Sequence, residues 1–322
     1  MTGGPLFVSS GNATADREYR SALERAAHGD LASAAEILRR SVELAPAFAT
    51  AWFALGAIRD NLGDSLGAIA AWRMAHDVDP EDYHGARLQL ARLGADETTP
   101  AMTATYVRRL FDQQAERFDE TLVERLAYRG PAILLDAVRK VAGMQLRIGS
   151  MLDMGCGTGL AGAAFRPCVD WLVGIDLSPA MIAQARAKGI YDRLTVSDLG
   201  NFLDAQADTR ALYHLVLAAD VFVYVSDLAP VVAAAARVLA PTGLFAFTVE
   251  THPGDGVVLQ STLRYAQGAA YVRKAIVEAK LKLVRLDHAR IRTEQGASVA
   301  CLVVVASNLV PTVSASMDRA EA

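Results

Sequence analysis

Four acidic side chains and one glycine run are where this sequence concentrates its chemistry. Met151-Leu152-Asp153-Met154-Gly155-Cys156-Gly157-Thr158-Gly159-Leu160 reads as an apolar strand ending in a carboxylate, then a glycine-rich turn that opens a helix. Such a turn brings backbone close to a ligand, and the helix behind it presents unpaired N–H groups. Asp176 follows 21 residues after Gly155, at the end of the apolar run Trp171–Asp176. A carboxylate there can accept from both hydroxyls of a ribose. Leu177, Ser178 and Met181 come next, where an aromatic base would rest. Asp198 and Leu199 end a third apolar run, and Ala219-Asp220 end a fourth, beneath the place of a reacting group. An acid at one strand end is often only a helix N-cap. Asp153, Gly155-x-Gly157-x-Gly159, Asp176 and Asp198 at these intervals together describe one nucleoside site.

Asp153 decides between ligands. A turn built for pyrophosphate has no use for a carboxylate two residues before its first glycine, whereas one that holds an ammonium group and a ribose does. The cofactor implied is S-adenosylmethionine. A nicotinamide dehydrogenase is the rival, because Gly157-Thr158-Gly159-Leu160-Ala161-Gly162 matches G-x-G-x-x-G and Asp176 lies 19 residues after Gly157. It leaves Asp153 and Asp198 without a role. A second alternative is a non-catalytic adaptor with a relic α/β domain, against which the intact glycine turn argues. Methyl transfer is an in-line displacement that needs mainly alignment, with a base only where the acceptor must lose a proton. His252, just past the fifth strand, is the candidate base, followed by Asp220 and Tyr224. Arg264 and Tyr265 are candidates for holding a carboxylate or phosphate, or for bracing the site. Cys156, Cys168 and Cys301 share no C-x-x-C spacing, so no metal site is expected.

From Ser150 the pattern alternates strands and helices, which predicts an α/β fold with a parallel sheet. The strands read are 151–154, 171–176, 194–197, 215–219 and 243–249. Two more near 281–292 and 299–306 are joined by Thr293-Glu-Gln-Gly-Ala, hence an antiparallel hairpin. Residues 15–82 carry a different pattern with a 34-residue period: Gly29-Asp30 recurs as Gly63-Asp64, Ala34 as Ala68, Leu38 as Trp72 and Pro46 as Pro80. Trp52, Leu55, Gly56, Ala68, Trp72, Ala75 and Pro80 fall at the offsets of a tetratricopeptide repeat. Glu81–Leu93 is expected to be one more, capping helix. The domains expected are therefore 15–94, two repeats plus a cap, and 103–306, an α/β domain whose residues 103–141 are helices over the site. Gly94–Pro100 is the expected linker, and 1–14 and 307–322 are expected to be disordered. Two repeats bury little on their own. They are expected to dock a protein partner or to mediate self-association.

Residues 103–306 resemble a class I S-adenosylmethionine-dependent methyltransferase, and the whole chain resembles a bacterial group in which such a domain follows tetratricopeptide repeats. The resemblance rests on MLDMGCGTGL, VGIDLSPAMIAQAR, VSDL, LVLAADVFVYV, RVLAPTGLFAFTVE and RYAQGAAYV. It implies a seven-stranded Rossmann-like sheet with an antiparallel last strand, and a small-molecule methyl acceptor. Pro241-Thr242-Gly243 replaces the usual Pro-Gly-Gly, and Gln267 stands where the group often has a His. The helix from Tyr106 resembles the lid of related small-molecule methyltransferases, which implies that Tyr106 and Phe118 reach the cofactor. Phe111 fits better as part of an apolar face against the sheet. No Asn-Pro-Pro-Tyr-like segment follows the fourth strand, which argues against methylation of base or glutamine amino groups. A formal charge of −4 over 322 residues leaves no footprint for nucleic acid. The most apolar window, 231–249, is broken by Arg237 and Pro241, so neither a membrane span nor a signal peptide is expected, and a cytoplasmic location is.

Overall fold

The structure is a computed structural model, and it describes residues 7–98, 101–294 and 296–308, leaving aside the side chain of Val123. It opens with two helical hairpins, α1 (Ala13–Ala27) with α2 (Leu31–Leu44) and α3 (Ala49–Asn61) with α4 (Ser65–Val78). The 34-residue period has a local cause at each hairpin. Gly29 and Gly63 turn at φ +84° and +80°, and the aspartate after each caps the next helix. Asp30 accepts from Ser33 N at 3.2 Å and Asp64 from Gly67 N at 2.9 Å. Gly56 makes room for Trp72, whose indole nitrogen would lie 2.4 Å from any added Cβ. Trp72 itself is buried and donates to Phe53 O at 3.2 Å.

The expected cap is shorter than the sequence predicts. Only α5 (Ala86–Arg92) is helical, because Asp82 and Gly85 take positive φ, and the Asp82 carboxylate caps the helix by accepting from Ala86 N and Arg87 N. Residues 7–14, expected to be disordered, are ordered where described. Asp16 accepts from Ser9 Oγ and Ser10 N, and Asn12 caps α1. Residues 1–6 and 309–322, and Thr99 and Pro100 of the expected linker, lie outside the described residues, while Ser307 and Asn308 belong to the last strand.

The remaining chain runs α6 (Ala104–Gln114), a tight 3₁₀ turn at Ala115–Arg117, a wide π-helical turn at Glu120–Arg125, and α7 (Gly130–Ala142). Pro131 sits in the first turn of α7, where its missing N–H costs nothing. Then follow β1 (Ile148–Met154), α8 (Leu160–Phe165), β2 (Val169–Asp176), α9 (Pro179–Ala187), β3 (Arg193–Val196), α10 (Leu199–Asp208), β4 (Tyr213–Ala218), α11 (Leu228–Arg237) and β5 (Leu239–Thr251). The chain ends with β6 (Val257–Leu259), β7 (Tyr265–Gln267), α12 (Ala269–Glu278), β8 (Leu281–Glu294) and β9 (Ala297–Asn308).

All seven expected strands are present, but the described sheet has nine. The two extra strands, β6 and β7, are three residues each, too short to leave an alternating pattern, and β7 adds to the tip of β5 at Glu250 and Thr251. β1 to β5 are parallel in the order β3-β2-β1-β4-β5, and β9 closes antiparallel on β5 with β8 outside it. Pro241-Thr242-Gly243 is not a turn before β5 but a bulge inside it, where the register against β4 shifts. One face of the sheet packs on α7 and α8 through Leu134, Val138, Ala161 and Phe165. The other packs on α10, α11 and α12 through Phe202, Val232, Val272 and Ile276. Strand order reverses between β1 and β4, so a crevice opens outside their carboxyl ends.

Helix α5, which follows the hairpins, and the segment behind it rest on α6 and on the chain around β6 and β7. Leu88, Ala91 and Ala101 pack with Met102, Tyr106, Leu259 and Leu263, and Tyr265 Oη donates to Thr98 O at 2.6 Å. The Arg109 guanidinium lies 3.6 Å from the centre of the Tyr83 ring. Among the described residues no helix is long and apolar enough to cross a membrane.

Candidate functional site

The glycine turn after β1 takes left-handed φ at Gly155, Gly157 and Gly159, of +62°, +54° and +95°. Its upper side is closed to side chains: a Cβ on Gly155 would lie 2.6 Å from Val221. Its underside wraps Tyr191, whose ring atoms would come within 3.0 Å or less of a Cβ on Gly159, Gly162 or Gly174. Tyr191 Oη donates to Asp153 Oδ2 at 2.7 Å. Asp153 is 1% exposed beneath the turn. Burial raises its carboxyl to about 7, against the lowering effect of the Tyr191 hydrogen bond.

This shift fixes the sign of a pH effect. A carboxyl raised in the fold binds a proton that the unfolded chain has already released. Its contribution to stability is complete below about pH 4 and is lost as pH rises through about 7. The cofactor-free protein is expected to lose stability between about pH 4 and 7 more steeply than its Asp153→Asn variant. Urea unfolding at several pH values measures this, and parallel slopes for the two proteins would refute it.

Above the turn lies a cavity of about 280 Å³. Gly155, Cys156, Gly157 and Thr158 line one wall, Asp176 and Leu177 the next, then Asp198 and Leu199, then Ala219 and Asp220. Asp176 Oδ2 accepts from Gly157 N at 2.9 Å and Oδ1 from Ser178 N at 2.8 Å, so one carboxylate ties the tip of β2 to the turn after β1. Burial pushes this carboxyl up, while the two amides pull it down. Asp198 is also the N-cap of α10, accepting from Gly200 N and Asn201 N.

The roof is aromatic. Phe111 meets Phe118 and Tyr224 edge-on, with ring centres 5.9 and 5.1 Å apart, and all three line the cavity. Two aspartates latch this roof to the sheet. Asp112 Oδ1 accepts from Ser178 Oγ at 2.5 Å, and Asp119 accepts from Thr158 Oγ1 and, at 2.6 Å, from Lys188 Nζ.

The inner end is charged. Arg292 is bound to Asp220 at 2.6 Å through Nη1, to Glu294 at 3.1 Å through Nε, and to Glu250 through Nη2. Arg264 pairs with Glu250 at 2.8 Å and with Glu294. Burial raises the Glu250 carboxyl, opposed by both guanidinium groups. Asp220 takes φ +61° to reach Arg292, and its backbone N–H is held by Thr248 Oγ1 at 2.9 Å.

Of the residues singled out from sequence, seven do not line the cavity, Ser178 and Tyr265 among them. Asp153 and Gly159 lie under or beside the turn, and Met181 is a core residue. His252 uses its ring nitrogens within its own loop, facing Gly254 N and Gly256 O. Tyr106 packs on Gly85 of the helical unit, and it is Thr103, Ala104, Val107 and Phe111 that α6 turns inward. Residues 107 and 111 share one helical face, but spacing alone does not say which face turns inward, and the structure exchanges the expected parts of Tyr106 and Phe111 in lining the cavity. Arg264 lines the cavity already paired to acids, and Tyr265 braces the helical unit. Sequence reasoning missed Tyr191, Asp112, Asp119, Glu250 and Arg292. Only Glu250 left a trace, as an acid closing the apolar run of β5.

Residues 152–245 match a family described as "Methyltransferase domain". Methyltransferase-like protein 27 of Homo sapiens is 37% identical over 91 residues, which is 28% of this chain and 37% of that protein. Ubiquinone biosynthesis O-methyltransferase of Rhodopseudomonas palustris (strain TIE-1) is 33% identical over 94 residues, 29% of this chain and 37% of that protein. The chain thus spans little more than a third of the length of these curated relatives. A Burkholderia thailandensis 1,6-didemethyltoxoflavin-N1-methyltransferase, solved with bound 1,6-didemethyltoxoflavin and S-adenosylhomocysteine, superposes with a TM-score of 0.49 at 18% identity, covering 63% of this chain and 88% of that one. The matched segment runs from β1 into β5 and holds the glycine turn, Asp176, Asp198 and Asp220.

Proposed function

We propose that this chain transfers a methyl group from S-adenosylmethionine to a small-molecule acceptor. One observation carries the reading: the glycine turn, Asp176 and Asp198 line a single cavity roofed by Phe111, Phe118 and Tyr224. The residues fit the cofactor. At Gly157 the turn is open, with only Phe118, 3.8 Å away, near the place of an added Cβ, and two carboxylates stand along one wall for a nucleoside. Asp176 is the ribose acceptor and Asp198 the adenine acceptor, with Leu177 and Leu199 as apolar walls for the base. Asp153 acts through Tyr191 and the turn, shaping the end that receives the amino-acid portion.

When bound, S-adenosylmethionine supplies a methyl carbon already activated by a sulfonium. The chain's part is alignment and exclusion of water. The three aromatic rings face a cation favourably and close the site from above. Asp220 stands at the inner end with Oδ1, the oxygen not given to Arg292, available to hold an acceptor hydrogen; Tyr224 walls the same space.

We read residues 15–94 as tetratricopeptide repeats with a cap and 103–306 as the class I methyltransferase domain. The hairpins serve docking or self-association, and the packing of Tyr106 and Arg109 on Gly85 and Tyr83 supports a further job in bracing the roof helix. Isothermal titration with S-adenosylmethionine, S-adenosylhomocysteine and NAD tests the central reading. The first two are expected to bind and NAD not; binding of NAD alone, or of none, would refute it.

A further inference from the structure

We propose that the acceptor is an uncharged, largely apolar molecule that presents a hydroxyl or amino hydrogen to Asp220, and that anionic acceptors are excluded. This rests on the methyltransferase reading and names the substrate class of the same cavity.

The inner end has two guanidinium groups, which at first sight invite a carboxylate or phosphate. Both are already engaged. Arg292 uses all three nitrogens on Asp220, Glu250 and Glu294, and Arg264 is paired with Glu250 and Glu294. Three carboxyl groups face two guanidinium groups, a formal balance of −1. An anion entering here meets an acid-rich cluster in which Arg292 has all three nitrogens engaged and Arg264 already shares its charge with two acids. Asp220, more open than Arg292 at 18% against 3% side-chain exposure, is the acid this cluster turns to the cavity. A neutral donor hydrogen satisfies it without breaking anything. Around this polar point the lining is Val107, Phe111, Leu122, Leu126, Val221 and Val225, which suits an apolar body.

Full-length protein saturated with S-adenosylhomocysteine is titrated with 2-naphthol and with 2-naphthoate, two probes that differ in one polar group. The naphthol is expected to bind at least about tenfold more tightly, a modest share of what like-charge juxtaposition costs. Asp220→Asn keeps an acceptor oxygen and tolerates φ +61°, as Asn does, while removing one negative charge. It is expected to narrow the naphthol-to-naphthoate ratio about tenfold, whereas a merely structural role would weaken both probes alike. Equal or tighter binding of naphthoate, no binding of either probe, or an unchanged ratio in Asp220→Asn each overturns the proposal. Failure of S-adenosylhomocysteine to bind in the same experiment strikes the methyltransferase reading instead. The two probes are then titrated against the protein alone, and the same ratios decide whether the cavity takes a neutral or an anionic ligand.

Discussion

Asp176→Ala is expected to weaken S-adenosylmethionine binding by about 2–4 kcal/mol, roughly 30- to 900-fold. The change removes two charge-assisted bonds to the ribose. It also frees Gly157 N and Ser178 N, the two amides through which this carboxylate joins the tip of β2 to the glycine turn. The effect on the free protein is expected to be smaller than the effect on affinity. Burial already pushes the Asp176 carboxyl up, so its ionised form is held at a cost until a ligand engages it. Isothermal titration beside a thermal melt separates the two. Asp176→Asn, which retains one acceptor oxygen, is expected to fall between wild type and Ala. Unchanged affinity in Asp176→Ala would remove its ribose role, and a collapse of the melt without loss of affinity would make it purely structural.

Arg292→Met is expected to lower stability by about 3–5 kcal/mol, because Asp220, Glu250 and Glu294 lose a shared partner and Glu250, 3% exposed, keeps only Arg264. For a chain of 322 residues that is a fall of roughly 4–7 °C in the melting midpoint. The double change Arg292→Met with Glu250→Met is expected to recover at least about half of the loss, since apolar side chains of similar volume replace a desolvated pair. Asp220 and Glu294 keep enough exposure, at 18% and 17% of their side chains, to hydrate on their own. Calorimetry of the three proteins checks both statements. A wild-type midpoint in Arg292→Met would mean that the cluster holds nothing together.

The two residues illustrate what a sequence exposes. Asp176 closes a local pattern, an apolar run followed by a helix start, and its distance from Gly155 is a chain distance. Arg292 sits in a long edge strand whose alternation of Arg290 and Arg292 reads as solvent-facing charge. Only the antiparallel closure of β9 on β5 brings that strand over Glu250 and Asp220. Tyr191 is a similar case. Nothing near it in the chain says that Gly159, Gly162 and Gly174 are small because one ring fills the space between them.

Short-range physics accounts for what was readable. Strand alternation, helix caps, glycine turns and the Gly-Asp repeat are each set by interactions within a few residues, so they appear in the one-dimensional order of the chain. By that route the sequence by itself determined the α/β architecture, the helical hairpins before it, and the row of acids at the strand tips. The tertiary structure alone decided which face of α6 roofs the cavity, that Tyr106 turns to the helical unit while Phe111 turns inward, and that the arginines at the inner end are already bound to acids. Those outcomes depend on contacts between segments far apart in the chain, where packing and charge pairing leave no local periodicity to read.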